Sequence, residues 1–329
     1  MVEKYSDFEA FLAAMSGKSL LHIGHKDADC DALGSAYAMS RLLPGDIGFA
    51  LELKAQAQSV ATWLDLKWIK NPNPADYDFT IIYDTAGPGM LGVPMPAHYA
   101  IFDHHESGGH RFSVISNELS AMAEWGWVLP VESTCSLIID LLQEHAIPID
   151  QKMAVALAAG IVTDTARLQH AHAPALHRLA IALQAANMHV EDVWAVIEPK
   201  NIRAVRRPAV LHSLRNIQES TQQGWSILST EIDSHDNAFV VMDALIQFGG
   251  DMVVVGFPKW GQSMVITAAT AMLVEDTGID LNGLMKVLAP TVNANEVWGT
   301  RVGGRIIAPI PVKELVVKCV QRAIEALED

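Results

Sequence analysis

His25-Lys26-Asp27-Ala28-Asp29-Cys30-Asp31 follows the short apolar run 19–23 and leads into a helical pattern, Ala32 to Leu43, closed by Pro44-Gly45. Two more compact apolar runs, Phe79 to Tyr83 and Tyr99 to Phe102, each give way at once to an acid, Asp84 and Asp103, and the second continues as His104-His105. Runs of that kind suit strands buried on both faces, as parallel strands are. Helical patterns at Ser133 to His145, Gln151 to Val162 and Ala175 to Asn187 alternate with them. This alternation predicts a doubly wound, mainly parallel α/β sheet over 1–188.

From Val190 to Gln218 the chain reads as amphipathic helix without catalytic clusters, a connector placed at 189–219. Beyond it, Ala238 to Met242, Met252 to Phe257 and Ser263 to Ala268 read as strands, with helices at Leu281 to Leu288 and Val312 to Leu327. A smaller α/β domain is therefore expected over 220–329. It carries the glycine-rich stretch Gly299-Thr300-Arg301-Val302-Gly303-Gly304-Arg305, whose glycines are explained on their own by a hairpin turn.

At 329 residues, two domains are expected, and 50% apolar residues suffice for substantial cores. A formal charge of −15 works against tracking along duplex DNA, while a small anion held by metals remains compatible with it. The N-terminus lacks a basic-then-apolar signal pattern, and the run Met153 to Val162 is too short to span a bilayer. Cys30, Cys135 and Cys319 are scattered without zinc or disulfide spacing, so the expected home is the reducing cytoplasm.

Carboxylates and imidazoles delivered to the carboxyl ends of strands converge on one edge of an open α/β sheet. His25, Asp29 and Asp31 stand at i, i+4 and i+6 in one loop, Asp84 and His104/His105 come from two other strand ends, and Asp164 from a loop after a helix. Such a set can hold two divalent ions roughly 3.5–4 Å apart, which activate water and neutralise a phosphoryl group. Mixed imidazole and carboxylate donors suit Mn²⁺, then Co²⁺ or Fe²⁺, better than Mg²⁺. A lone Asp after a strand is ordinarily a turn or helix cap, and Asp27 is read that way. His98, His110, His170 and His172 are read as surface residues.

His25-x-x-x-Asp29-x-Asp31 with Gly34-Ser35, then Asp84-Thr85, Asp103-His104-His105 and Gly160-Ile161-Val162-Thr163-Asp164-Thr165 together resemble the ordered motifs of the DHH phosphoesterase superfamily. The second half resembles the DHHA1 substrate domain of the RecJ exonucleases, NrnA-like oligoribonucleases and cyclic-dinucleotide phosphodiesterases. The resemblance implies a cleft between two domains. It makes His25, Asp29 and Asp84 ligands of one ion, and Asp31, Asp84, His104 and Asp164 ligands of the other, with Asp84 bridging. It also implies that His105 faces the scissile phosphate and that Asp103 fixes the His pair or caps the turn. Cys30 stands where the family usually has Gly, and Arg305 where its Gly-Gly-His has His.

Arg305, with Gly303, Gly304 and Arg301, is expected to bind a substrate phosphate. Arg203, Arg206 and Arg207 read as a solvated helix face. Trp125, Trp127, Trp260 and Trp298 read as core or interface residues, Trp298 being the best placed of them to stack a base. The expected activity is Mn²⁺-dependent hydrolysis of short oligonucleotides or of small nucleotides such as 3′-phosphoadenosine 5′-phosphate. The alternatives are a cyclic-dinucleotide phosphodiesterase, a single-strand exonuclease, an inorganic pyrophosphatase and a non-catalytic nucleotide-binding subunit. No long duplex DNA and no membrane are expected as partners, and a homodimer is compatible with the sequence.

Overall fold

The computed structural model describes residues 6–105, 118–165, 167–168, 171–233, 237–259, 261–299 and 301–328. Side chains at 200–203, 205, 206, 209, 298 and 299 lie outside that description, as do His110, His170 and Trp260 entirely. The chain forms two compact units that divide at Lys200/Asn201.

The first unit opens with α1 (Phe8–Ala14), β1 (Leu20–Gly24), α2 (Cys30–Leu42), β2 (Asp46–Phe49), α3 (Ala55–Leu64) and β3 (Ile69–Lys70). It continues with β4 (Phe79–Tyr83), α4 (Pro88–Leu91), β5 (Tyr99–Asp103) and β6 (Trp125–Val128). Four helices follow: α5 (Thr134–Glu144), α6 (Gln151–Asp164), α7 (Ala173–Ala186) and α8 (Val190–Ile197). The strands form one sheet in the order β3-β2-β1-β4-β5-β6, and every pairing is parallel. Residues of β1, β4 and β5 are buried throughout, which explains their uninterrupted apolarity. The strand order reverses between β1 and β4, so a crevice is expected at their carboxyl ends.

Two helix starts bear on the site. Asp29 caps α2 through its side chain, and Ser133 caps α5, accepting from the Ser136 N–H. Helices α2, α5 and α6 pack unusually close because two of their contact positions are glycine. A Cβ on Gly34 would lie 2.4 Å from the Ala156 carbonyl oxygen and 2.9 Å from Cys135 Sγ. One on Gly160 would lie 2.4 Å from Cys135 Sγ and 2.9 Å from Asp31 Oδ1.

His22, on β1, is fully buried. Its Nε2 meets the Leu43 carbonyl at 2.8 Å, and its Nδ1 the Tyr83 hydroxyl at 2.8 Å. A carbonyl only accepts, so Nε2 carries the proton and Tyr83 donates to Nδ1. Burial lowers the His22 pKa to about 4. The unfolded chain therefore takes up this proton first as pH falls. Stability is lost from about pH 6.5 down to about pH 4, by up to roughly 3 kcal/mol, and His22 costs nothing further below that. An NMR titration is expected to show a His22 ring still neutral at pH 5. Titration near its ordinary value would disprove the buried two-bond arrangement.

The second unit contains α9 (Lys200–Arg215), β7 (Gln218–Gln222), β8 (Trp225–Glu231), α10 (Ala238–Gln247), β9 (Met252–Lys259) and β10 (Gln262–Ala269). Then come α11 (Ala271–Thr277), α12 (Leu281–Leu288), β11 (Glu296–Gly299), β12 (Gly303–Ala308) and α13 (Val312–Glu328). Its sheet runs β11-β12-β10-β9-β8-β7. The β8–β9 pair is parallel and the others are antiparallel. One face packs on α11, α12 and α13, the other on α9 and α10. Of the stretch 189–219, α8 belongs to the first unit, while α9 and the start of β7 belong to the second.

Two sequence expectations are corrected here. Ala238 to Met242 is not a strand but the start of α10. Its buried residues, Ala238, Val241 and Leu245, recur at helical spacing, and Phe239 points outward at 57% exposure. Five apolar residues in a row hid that period. Gly303 and Gly304 do not form the hairpin turn but open β12, and neither adopts a left-handed backbone. Gly304 is needed for close approach: a Cβ there would lie 3.0 Å from Met285 Cγ and 3.2 Å from the Leu281 carbonyl oxygen, both on α12.

Candidate metal centre

Three neighbouring strands, β1, β4 and β5, end at His25, at Asp84 and at Asp103 followed by His104. The turns after them deliver the donor groups to one spot. Asp84 has φ 50, a left-handed backbone that is uncommon outside glycine. Its N–H donates to the Phe102 carbonyl at 3.0 Å, which holds the strained turn in place.

The two Asp84 oxygens face opposite ways. Oδ2 lies 3.3 Å from His25 Nε2, and Oδ1 lies 3.3 Å from His104 Nε2. On the first side, His25 Nε2 is also 3.5 Å from Asp29 Oδ2. On the second, His104 Nε2 is 3.3 Å from Asp164 Oδ2 and 3.9 Å from Asp31 Oδ2. The donor atoms thus gather into His25–Asp29–Asp84 and Asp31–His104–Asp164, each within 4.8 Å, and a third trio, Asp84–His104–His105, overlaps them. All six residues expected as ligands are brought together. Asp164 comes from the last residue of α6 rather than from a loop beyond a helix.

Several groups are pre-oriented. His104 Nδ1 lies 3.3 Å from the Val131 carbonyl, so that nitrogen carries the proton and Nε2 offers its lone pair to the cluster. Asp31 is wholly buried, and its two oxygens accept the Thr134 and Cys135 N–H groups at 2.7 and 2.8 Å. The first turn of α5 thus holds this carboxylate, a favourable end of the helix for negative charge. His105 Nδ1 is 2.8 Å from Asp103 Oδ1, so Asp103 fixes that ring and leaves Nε2 for another partner.

The pKa directions show what such crowding does. Burial and the Asp84 charge push Asp31 up to about 7, and burial with Asp31 beside it raises Asp164 well above the carboxylate range. Burial works the same way on Asp84, but hydrogen bonds from His104 and His25 outweigh it and hold Asp84 well below. Burial would lower His25, yet Asp29 and Asp84 raise it to about 10. For His104, Asp84, Asp164 and Asp31 likewise overcome burial and raise it well above its ordinary value. Four carboxylates and two imidazoles this close favour a bound cation, and protons and divalent ions would compete for them. The donor set fits a divalent-metal site.

Two nearby features escaped the sequence reading. Lys54, in the loop between β2 and α3, places Nζ 3.0 Å from Asp29 Oδ2. Just past Asp164, Arg167 and Leu168 take left-handed backbones, φ 58 and 69. Arg167 lies over the Trp194 ring at 4.5 Å and pairs with Glu198 at 3.0 Å. Neither lysine nor arginine carried a local signal, because each partner lies far off in the chain.

Other candidates lie elsewhere. Asp27 and His172 are exposed, His98 pairs with Glu124, and Trp127 is a fully buried ring stacked on Phe102. Cys30, Cys135 and Cys319 are free and buried. Arg305 lies on β12, with its guanidinium on Glu296, and Arg301 is exposed.

Comparison with known proteins places this arrangement. Residues 19–161 match the DHH family, N-terminal domain. An exopolyphosphatase-related protein from Bacteroides fragilis superposes with a TM-score of 0.73 at 13% identity, over 97% of this chain and 95% of that one. The DHH domain of a member of a ribosomal-protein family gives 0.59 at 12% identity, over 99% and 94%. At such identities the likeness is one of fold, and the family match is confined to residues 19–161. The parallel sheet, and the donor residues from His25 to His104 that it presents, thus lie within the stretch that is similar to the DHH family, N-terminal domain.

Proposed function

We propose that this protein is a manganese-dependent phosphoesterase that hydrolyses short oligonucleotides or small nucleotides such as 3′-phosphoadenosine 5′-phosphate. The observation that carries the reading is the divergence of the two Asp84 oxygens, one toward His25 and one toward His104. A bridging carboxylate needs that disposition. His25, Asp29 and Asp84 would hold one ion, and Asp31, Asp84, His104 and Asp164 the other. When bound, such a pair supplies Lewis acidity to a phosphoryl oxygen and makes water a better nucleophile.

The chain's own groups do the remaining work. Asp103 keeps the His105 ring turned so that Nε2 can donate to a phosphate oxygen or a leaving group. Asp31 stays fixed on the α5 N-terminus. In the second unit, a substrate phosphate must draw Arg305 away from Glu296, whereas Arg301 is directly accessible. A small substrate accords with a chain of net charge −15. Among the described residues no helix is long and apolar enough to cross a membrane.

The test is Mn²⁺-supported hydrolysis across a dinucleotide, 3′-phosphoadenosine 5′-phosphate, a cyclic dinucleotide, pyrophosphate and a longer single strand. The expected result is preference for one of the first two. Preference for the cyclic dinucleotide, pyrophosphate or the long strand would replace the substrate class while keeping the chemistry. Silence from the metal-loaded protein on all five would point to a nucleotide-binding subunit instead.

A further inference from the structure

Lys54 belongs to the loop before α3, and its N–H donates to the Ala28 carbonyl at 2.9 Å, tying that loop to the ligand-bearing loop after β1. Its Nζ lies 3.0 Å from Asp29 Oδ2. That oxygen is also the one facing His25 Nε2, at 3.5 Å, and so the one an ion at the His25–Asp29–Asp84 position would take. The other Asp29 oxygen is committed elsewhere. Oδ1 caps α2, accepting the Asp31 and Ala32 N–H groups at 3.2 and 3.4 Å. An ammonium and a divalent ion therefore compete for a single carboxylate oxygen.

Among the described residues the second position has no such directly paired competitor. Among the described residues, no lysine or arginine pairs with Asp31, Asp84 or Asp164. The donors that hold Asp31 in place are neutral backbone N–H groups. The Lys54 side chain is 52% exposed on a flexible stem, so it has room to swing aside.

Building on the metal-centre reading, we propose that Lys54 makes the two ion positions unequal. The Asp31–His104–Asp164 position fills first. The His25–Asp29–Asp84 position fills only as an ion displaces the Lys54 ammonium from Asp29 Oδ2. Occupancy of that second position, and with it a complete centre, then follows the free divalent-ion concentration.

The test titrates the metal-stripped full-length chain with Mn²⁺ alone, reading free ion by its electron paramagnetic resonance signal, for wild type, K54M and K54R. Wild type is expected to take up two ions with separated affinities. K54M should tighten the weaker event about ten-fold and the tighter one by much less, since the positive charge removed touches Asp29 directly and reaches Asp84 and Asp164 only at longer range. K54R should keep the wild-type separation. If K54M does not fold, K54Q, neutral and of similar reach, reads the same quantity. Two ions bound with affinities indifferent to K54M, or a weaker event loosened by it, would overturn the inference and leave the metal centre standing. A wild-type chain that takes up no ion would bring down both.

Discussion

Asp84→Asn is expected to lower turnover about a thousand-fold or more while the protein stays folded. The side chain changes by one atom, so packing around the buried position is nearly conserved. The backbone is also served, because Asp84 sits at φ 50 and Asn is among the residues that tolerate the left-handed region best. What is lost is charge at the point where the two donor sets meet. Oδ2 faces His25 and Oδ1 faces His104, so replacing either oxygen by an amide nitrogen gives one set a donor that cannot ligate. Metal content by elemental analysis should fall in step with turnover. A variant that kept two ions and activity within about ten-fold of wild type would show that Asp84 does not bridge.

Gly34→Ala is expected to destabilise the first unit by about 3 kcal/mol, against the usual gain of about 1 kcal/mol for replacing glycine inside a helix. The sign reverses because of what the new methyl meets. A Cβ at position 34 would lie 2.4 Å from the Ala156 carbonyl oxygen on α6, and a backbone atom in a helix cannot swing away. Cys135 Sγ, at 2.9 Å, closes the other side. Helices α2, α5 and α6 would have to separate, and α5 is the helix whose N–H groups hold Asp31. Urea unfolding should therefore show the loss of stability, and Mn²⁺ affinity should weaken with it. A variant as stable as wild type would mean that the three helices pack less tightly than these distances require.

Much of the first unit was legible because its signals are local. The strand at Phe79–Tyr83 is an apolar run stopped by an acid, and α6 begins at Gln151 behind a capping Asp150. Elements with weak local signals went unread. β2 is four residues long, and β6 hides in the tryptophan-rich 125–128. β7 is the polar stretch Gln218–Gln222 on a sheet edge, where no buried face imposes alternation, so it looked like part of a connector. Ala238–Gln247 failed for the opposite reason, being too apolar at its start for the helical period to show.

The candidate site divides along the same line. The sequence by itself determined which donors exist and that they sit at strand and helix ends, because strand length, helix period and the residues that end them are properties of neighbours in the chain. Only the tertiary structure decided how those donors are held and balanced. It turned the two Asp84 oxygens apart, seated Asp31 on helix α5 a hundred residues away, and set Lys54 against Asp29. It also gave Gly34 and Gly160 their purpose, since a missing methyl matters only where another helix comes too close to admit one. Contacts of that kind leave no period or spacing in the chain. They arise when packing brings distant segments within a few ångströms of each other.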